Sequence, residues 1–600
     1  MTRHLLRLAA VACIAPLVTA CGGGTPHTAS PAAIAPSGPT AQSPSSVPLD
    51  AARGGVLVSV HLPLRNDGEL DALTQRQGDK NSPEYHHFLT PQQFRDRFAP
   101  TAADLATAAT SLRAMGFETH VTSQSVLASA PQTTVENIFG IHLRQASVRG
   151  TSSLIADHAV RLPAALTKLN ATVGFSPFVK QVDSKRVGTG TAPYATTDNR
   201  YSNVGPYWFT DLKQAYGYPA YQTANGAGRT IGIVISSDVL DSDLALYFGH
   251  EHLATPTVER RPVNGGPPPF SVNSGASDEA SLDVQQSLGS APGAHVILYD
   301  IPDLSDSNIL AAYTAAVDEN RVDIVNSSFG LCELYYTAAY NGGTDYTSII
   351  QQFHDIFRQG NAQGITFVAS SGDHGAYECY DVNGTQKIKG VSNPAEDTDV
   401  TAVGGTNLVT KSIAGSRDSS YVAENAYYDQ FDPAQGAPPN DIWGSGGGVS
   451  VLFSKPWYQY LVNTHQSRQR TIPDVSMHMG GCPGGSVQPC DPARSSVITA
   501  IGGHFYLLIG TSASSPEFAG LLAVTEQTLG TRLGNANGYV YALSAVFGNS
   551  VYRQNIPGNN GYPATPGYNY VLGNGTPHAA AFAAQPLAPL AGIPWDPTNP

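Results

Sequence analysis

The chain has 600 residues, more than one compact core organises, so it divides into two or three domains, each long enough to bury a core of its own. Charged residues make up 13% and the formal net charge is −14, which excludes a nucleic-acid partner, because phosphates require basic patches. With so few charges the surface falls to Gly, Ser, Thr, Asn and Tyr, a composition suited to an exported protein that tolerates acid.

Arg3 and Arg7 flank an apolar run from Leu5 to Ala20, which has the length of a secretory signal and is too short to span a bilayer permanently. The run ends Leu17-Val18-Thr19-Ala20-Cys21, similar to a bacterial lipobox, so residues 1–21 are expected to be a signal peptide and Cys21 to carry lipid. Membrane contact is expected only through that lipid, and the location is extracytoplasmic, either secreted or on the cell envelope. Setting aside Cys13 in the signal and Cys21, the remaining cysteines are Cys332, Cys379, Cys482 and Cys490. They allow three disulfide pairings; Cys332 with Cys379 and Cys482 with Cys490 is the one favoured.

Residues 22–48 are Pro, Ser, Thr, Ala and Gly without periodicity, a flexible tether. From 49 to 182 a small α+β domain is expected. Val56–Leu62, Glu118–Ser123 and Ser125–Ala130 read as strands, and Glu69–Gln75, Pro91–Phe98 and Ala103–Met115 as helices. Residues 183–203 lack an apolar pattern and are a candidate linker or processing region. Beyond 204, apolar runs at Thr230–Ile235, His295–Tyr299, Val322–Val325 and Ile365–Ala369 alternate with helical segments such as Ala280–Leu288 and Ser348–Gln359. Such alternation specifies an α/β domain with a parallel sheet covered on both faces, its functional residues at the carboxyl ends of the strands.

Three motifs carry chemistry. Glu279 and Asp283 are four apart on one helical segment, hence on one face, and two close carboxylates coexist most easily by sharing a proton. Asp373 follows a buried-strand pattern in Val368-Ala369-Ser370-Ser371-Gly372-Asp373-His374-Gly375. Ser512 stands on a glycine turn, Gly510-Thr511-Ser512-Ala513-Ser514-Ser515-Pro516, ahead of the apolar run Phe518–Leu522; unpaired N–H groups at a helix start favour an oxyanion there. Taken singly, these read as an acidic face, a turn aspartate and a helix cap. Gly265-Gly266-Pro267 and Gly446-Gly447-Gly448 lack the context of a phosphate loop.

Together the motifs resemble the sedolisin family, the serine-carboxyl peptidases of kumamolisin and pseudomonalisin type. Val403-Gly404-Gly405-Thr406, Gly446-Gly447-Gly448-Val449-Ser450 and Ile472-Pro473-Asp474-Val475 lie between them in the family's order. Upstream, Ser82-Pro83-Glu84-Tyr85-His86-His87-Phe88-Leu89-Thr90 and Phe98-Ala99-Pro100-Thr101 are similar to the family's pro-kumamolisin-type activation domain. The resemblance implies a ferredoxin-like prodomain at 49–182 and a subtilisin-like peptidase domain at 204–600. It also implies a monomeric, self-activating, acid-acting endopeptidase whose partners are peptide substrates and its own prodomain. In this reading Ser512 is the nucleophile, Glu279 its general base, Asp283 the carboxylate orienting Glu279 and Asp373 the oxyanion donor, with Ser328, Phe329, Gly330, Gly446 and Gly447 lining the peptide groove. An ordinary subtilase would need a His-Gly-x-His setting, which the chain lacks; a catalytically dead scaffold and a tripeptidyl exopeptidase compete with the endopeptidase.

Two departures stand out. Where some relatives extend the carboxylate relay with Glu and Trp, this chain has Ile235 and Phe329. The family's calcium site falls on Asn555, Ile556, Thr565, Gly567 and Asn569, where amides replace both anionic ligands, so calcium is the only cofactor the resemblance offers and the loss of two charges should weaken its binding considerably.

Overall fold

A computed structural model describes residues 55–148, 151–175, 177–188, 205–413, 419–426, 428–430, 439–481 and 495–585, all within the unit Pro48–Pro600. The lipobox, the tether, Cys482 and Cys490 lie outside the described residues.

The N-terminal domain is a four-stranded antiparallel sheet, ordered Glu118–Val121, Ser125–Pro131, Gly55–His61, Thr172–Gly174. Chain order strand, helices, two strands, helix, strand with that spatial order is the ferredoxin-like arrangement. Alternating Val56, Val58 and Val60 meet Leu105, Leu112 and Phe139 in its core. The helix Pro91–Arg97 opens on a capping box in which Thr90 accepts from the Gln93 N–H and Gln93 returns the bond, which is why the expected helix starts where it does.

The larger domain is built on a sheet whose parallel strands run in the order Val258–Pro262, His295–Asp300, Thr230–Ile235, Ile324–Ser327, Thr366–Ser370, Val400–Ser412, Val475–His478. Ser419–Ala426 adds an antiparallel edge. The strand Thr230–Ile235 shows why its apolar run does not alternate with polar residues: Ile231, Ile233 and Ile235 face one core and Val234 the other. The helices Gly275–Ser290 and Thr511–Leu529 pack on the first face, and Asp306–Glu319 and Thr347–Ala362 on the second. Cys332 and Cys379 form a disulfide.

The sheet of the N-terminal domain docks on the helix Thr347–Ala362 through polar side chains. Ser59 donates to Gln352 Oε1 at 2.6 Å, Gln124 Nε2 to Gln359 Oε1 at 2.7 Å, and His61 Nε2 lies 2.9 Å from Asp355 Oδ2. Residues 183–188, expected to begin a linker, instead continue the chain as extended, backbone-paired segments. Main-chain hydrogen bonds and polar side-chain contacts rather than apolar burial hold them, so no apolar pattern announces them.

Candidate active site

The helix Gly275–Ser290 is buried along nearly its whole length, which removes Glu279 and Asp283 from water. Burial, reinforced by the Asp283 charge, pushes the Glu279 carboxyl well above its ordinary range, while the Ser184 and Ser512 hydroxyls and then the Asp183 charge act in smaller measure. Asp283 is also pushed up by burial, against the Ser328 hydrogen bond and the nearby Asn326 amide, which favour its anion. Both groups therefore resist ionising together, the situation in which a pair holds one proton between them.

Ser328 Oγ donates to Asp283 Oδ1 at 2.5 Å and in turn accepts from Asn326 Nδ2 at 3.1 Å. Ile235, at the position where a longer relay would continue, is buried in the apolar core. Among the described residues neither Glu279 oxygen nor Ser512 Oγ closes a hydrogen bond of ordinary geometry; the Ser512 and Ser184 hydroxyls approach Glu279 without completing one.

Ser512 is the second residue of the helix Thr511–Leu529, which starts before the apolar run that marks it in sequence. Pro516 lies inside that helix and has no N–H to return to the carbonyl of Ser512. Gly510 precedes it at φ 138°, and a Cβ there would collide with the carbonyl oxygen of Asp183 and with Asp373 Oδ2, so only glycine fits between them. Asp373, after the strand Thr366–Ser370, accepts at Oδ1 from the Thr511 N–H at 2.7 Å and the Thr511 hydroxyl at 2.9 Å; Oδ2 has no partner among the described residues. Burial first, then the Asp183 charge, raises its pKa well above the usual carboxylate value, so the group tends to keep its proton.

Chain segment 179–187 runs through this site. Val182 and Gln181 pair antiparallel with Phe329 and Gly330, the Asp183 N–H donates to the Ser328 carbonyl at 3.4 Å, and Lys185 and Arg186 pair with Ile509 and Leu508. On the other side Val179 bridges Ser305, and the Lys180 N–H donates to Leu304 O at 2.8 Å. Ser328, Phe329 and Gly330 thus meet a peptide strand through their backbone. Gly446 and Gly447 lie one layer back: their N–H groups donate to Gly372 O at 2.7 Å and Gly375 O at 3.2 Å, and a Cβ on Gly446 would strike Ser371, so they brace the turn that carries Asp373. Sequence reasoning assigns no role to Asp183, Ser184, Ser370 or Asn326, although Ser370 lies in the motif around Asp373, Asn326 just ahead of Ser328, and Asp183 and Ser184 at the start of the expected processing region.

The calcium-site residues fit a cation poorly. Asn569 Nδ2 donates to Thr565 O at 2.8 Å and Gly567 O at 3.2 Å, while its Oδ1 accepts from the Val571 and Leu572 N–H groups, each at 3.1 Å. The amide thus supplies donors to the carbonyls a cation would collect. Asn555 is exposed and Ile556 is buried among apolar residues.

No helix among the described residues is long and apolar enough to cross a membrane. The subtilase family profile matches residues 272–575, and the Pro-kumamolisin activation domain profile matches residues 49–178. Sedolisin of Pseudomonas sp. (strain 101) is 28% identical over 551 residues, covering 89% of this chain and 86% of the relative. Kumamolisin of Bacillus sp. (strain MN-32) is 28% identical over 563 residues, covering 89% and 93%. A solved structure of Pseudomonas sedolisin, a serine-carboxyl proteinase complexed with pseudo-iodotyrostatin, superposes with TM-score 0.52 at 27% identity over 63% of this chain and 96% of that one. The chain belongs to the subtilase family and, within it, is a sedolisin-type serine-carboxyl peptidase that carries its own activation domain.

Proposed function

We propose that this peptidase is an exported endopeptidase that works in acid, with Ser512 as nucleophile, Glu279 as its general base, Asp283 orienting Glu279, and Asp373 donating to the oxyanion. The observation that carries the reading is the buried Ser512 hydroxyl, without a partner among the described residues, beside a buried pair of carboxyls, with the Ser512 N–H donating to a peptide carbonyl that lies with Asp373 Oδ2 against one face of Gly510. A carboxylate is too weak a base for serine unless its pKa is raised, and burial raises it here. Asp373 donates only as a carboxylic acid, so the rate falls as pH rises through its ionisation.

Endopeptidase action is favoured over tripeptide release by the cleft itself. A continuous chain enters at Val179, passes Ser512 and leaves beyond Arg186, so the groove is open past three residues on the amino side. An exported location is supported by the disulfide and by the signal-like N-terminus, whose lipobox would hold the precursor on a membrane upstream of the activation domain. The Asn569 amide, donating to the Thr565 and Gly567 carbonyls, supports the reading that this loop needs no calcium.

Purified precursor brought to about pH 4 and then given casein tests the reading. Loss of the activation domain and internal casein fragments are expected, with neither seen for Ser512→Ala. A wild-type chain that never sheds its activation domain and leaves casein intact would mark a dead scaffold, and a ladder of tripeptides would mark an exopeptidase.

A further inference from the structure

We propose that the first bond this enzyme cuts is its own Asp183–Ser184 peptide bond, and that the pocket receiving Asp183 admits an acidic side chain in its uncharged form. The inference rests on the proposed roles of Ser512, Glu279 and Asp373.

Register is the first argument. The Asp183 carbonyl accepts from the Ser512 N–H at 3.2 Å, and it lies against the same face of Gly510 as Asp373 Oδ2, so one oxyanion donor is on this carbonyl and the other borders it. Glu279 is approached by the hydroxyl of Ser512, the nucleophile, and by that of Ser184, whose nitrogen is the leaving group, as a group shuttling a proton between the two must be. A slip of one residue would turn every side chain to the other face. Anchors at both ends oppose it. Lys180 is fully buried, with Nζ 3.1 Å from Asp306 Oδ1, 2.7 Å from the Tyr336 hydroxyl and 2.5 Å from Asn393 Oδ1. Arg186 pairs with Asp278, Nε to Oδ2 at 2.9 Å, and lies 3.7 Å over the Tyr506 ring.

The chemistry balances with water as the only co-reactant. Ser512 Oγ bonds to the Asp183 carbonyl carbon while its proton passes to Glu279. The carbon–nitrogen bond to Ser184 then breaks and the nitrogen takes that proton, freeing Ser184 as a new amino terminus. Water hydrolyses the Asp183 ester, giving its hydroxyl to the carbonyl carbon and a proton, through Glu279, back to Ser512 Oγ.

The pocket is the second argument. Asp183 Oδ2 accepts from Ser370 Oγ at 2.7 Å, a donor that serves a carboxyl as well as a carboxylate. The charged groups acting on Asp183 are themselves carboxyls: Glu378 raises it, and it raises Asp373 and Glu279 in turn. His374 and Lys387 act on Glu378, and Lys185 Nζ lies 5.6 Å over the Trp443 ring. Burial, then Glu378, push the Asp183 carboxyl up to about 8, in agreement with the geometry.

Two measurements test this. Mass spectrometry of the earliest acid-processed products of the full chain should find a new amino terminus at Ser184. Processing that begins at another bond overturns the register while leaving the peptidase reading intact; absence of any processing overturns both. The acid-processed enzyme is then given the peptide Lys-Gln-Val-Asp-Ser-Lys-Arg and its Asn analogue at the fourth position. The ratio of their kcat/KM values cancels the enzyme's own titrations. A free aspartate titrates near about 3.9, so the Asp/Asn ratio should fall roughly tenfold per pH unit between about pH 4.5 and 6.5. A ratio that stays level across that range overturns the uncharged-form pocket.

Discussion

Ser328 donates its hydroxyl to Asp283 at 2.5 Å while its own carbonyl accepts from the Asp183 N–H at 3.4 Å, so one residue ties the carboxyl pair to the peptide in the cleft. The hydroxyl supplies the orientation that Ile235 cannot. A hydrogen bond to a charged group contributes about 1.5–3 kcal/mol, so Ser328→Ala should lower kcat by roughly 10- to 100-fold with little change in KM, because the backbone contact survives. The bond also stabilises the Asp283 anion. Without it the first ionisation of the pair moves up, and the acid limb of the kcat/KM profile should shift to higher pH. An unmoved limb would mean that Ser328 does not orient Asp283.

Asp373 sets the opposite limb. Its carboxyl is raised by burial and by the Asp183 charge, and it donates only while protonated, so activity is present below its pKa and lost above it. Asp373→Asn keeps a donor at every pH. The variant should lose up to about 10²–10³-fold in kcat at the acid optimum, the cost of an impaired oxyanion donor, and its alkaline limb should lie higher than that of the wild type. Initial rates between pH 3 and 7 on one peptide decide it; limbs that coincide would remove Asp373 from the oxyanion.

Much of this architecture is legible in the sequence for identifiable reasons. The strands Thr230–Ile235 and His295–Asp300 are buried on both faces and read as continuous apolar runs, and Glu279 and Asp283 are visible because helical spacing alone puts them on one face. The helix Asp306–Glu319 and the edge strand Ser419–Ala426 escape such a reading: the first is apolar on most sides and the second is held mainly by its ladder. Nothing local in Gln181-Val182-Asp183-Ser184 says that it will lie on Ser512, because the pairing with Phe329 and Gly330 spans some hundred and fifty residues of sequence and exists only in the fold. Ser328 is recognisable as a groove residue by family resemblance, but its bond to Asp283 depends on a strand end meeting a helix face.

The loop Thr565–Asn569 yields a prediction about metal removal. Because Asn569 Nδ2 already donates to the Thr565 and Gly567 carbonyls, a chelator such as EGTA should leave the Tm of the precursor unchanged within about 1 °C, a shift small against the several degrees that 1 kcal/mol produces in a small domain. Asn569→Asp removes that donor and supplies an anion. The variant should be less stable in EGTA and regain stability when calcium is added. A wild-type Tm that drops several degrees in EGTA would show that the amide does not replace a cation.

The docking of the activation domain has its own pH dependence. His61 Nε2 and Asp355 Oδ2 meet at 2.9 Å with both side chains buried. Burial pushes the Asp355 carboxyl up, but the His61 hydrogen bond, with the His61, His354 and Arg358 charges, more than offsets it and leaves the group below its ordinary value. A depressed carboxylate stabilises the docked state above the ordinary carboxylate range, and that contribution is lost as pH falls through the depressed pKa. Asp318, raised by burial beside Ser123, works in the opposite direction, so the Asp355 contribution has to be isolated by substitution. In the Ser512→Ala chain, which stays uncut, amide exchange of Gly55–His61 and Thr347–Ala362 reports undocking. Adding Asp355→Asn leaves His61 without its carboxylate; breaking a buried pair costs about 3–5 kcal/mol, so exchange at pH 7 should rise steeply and then change less with acidification than in the parent. Parallel exchange profiles for the two chains would place the acid trigger elsewhere in the interface.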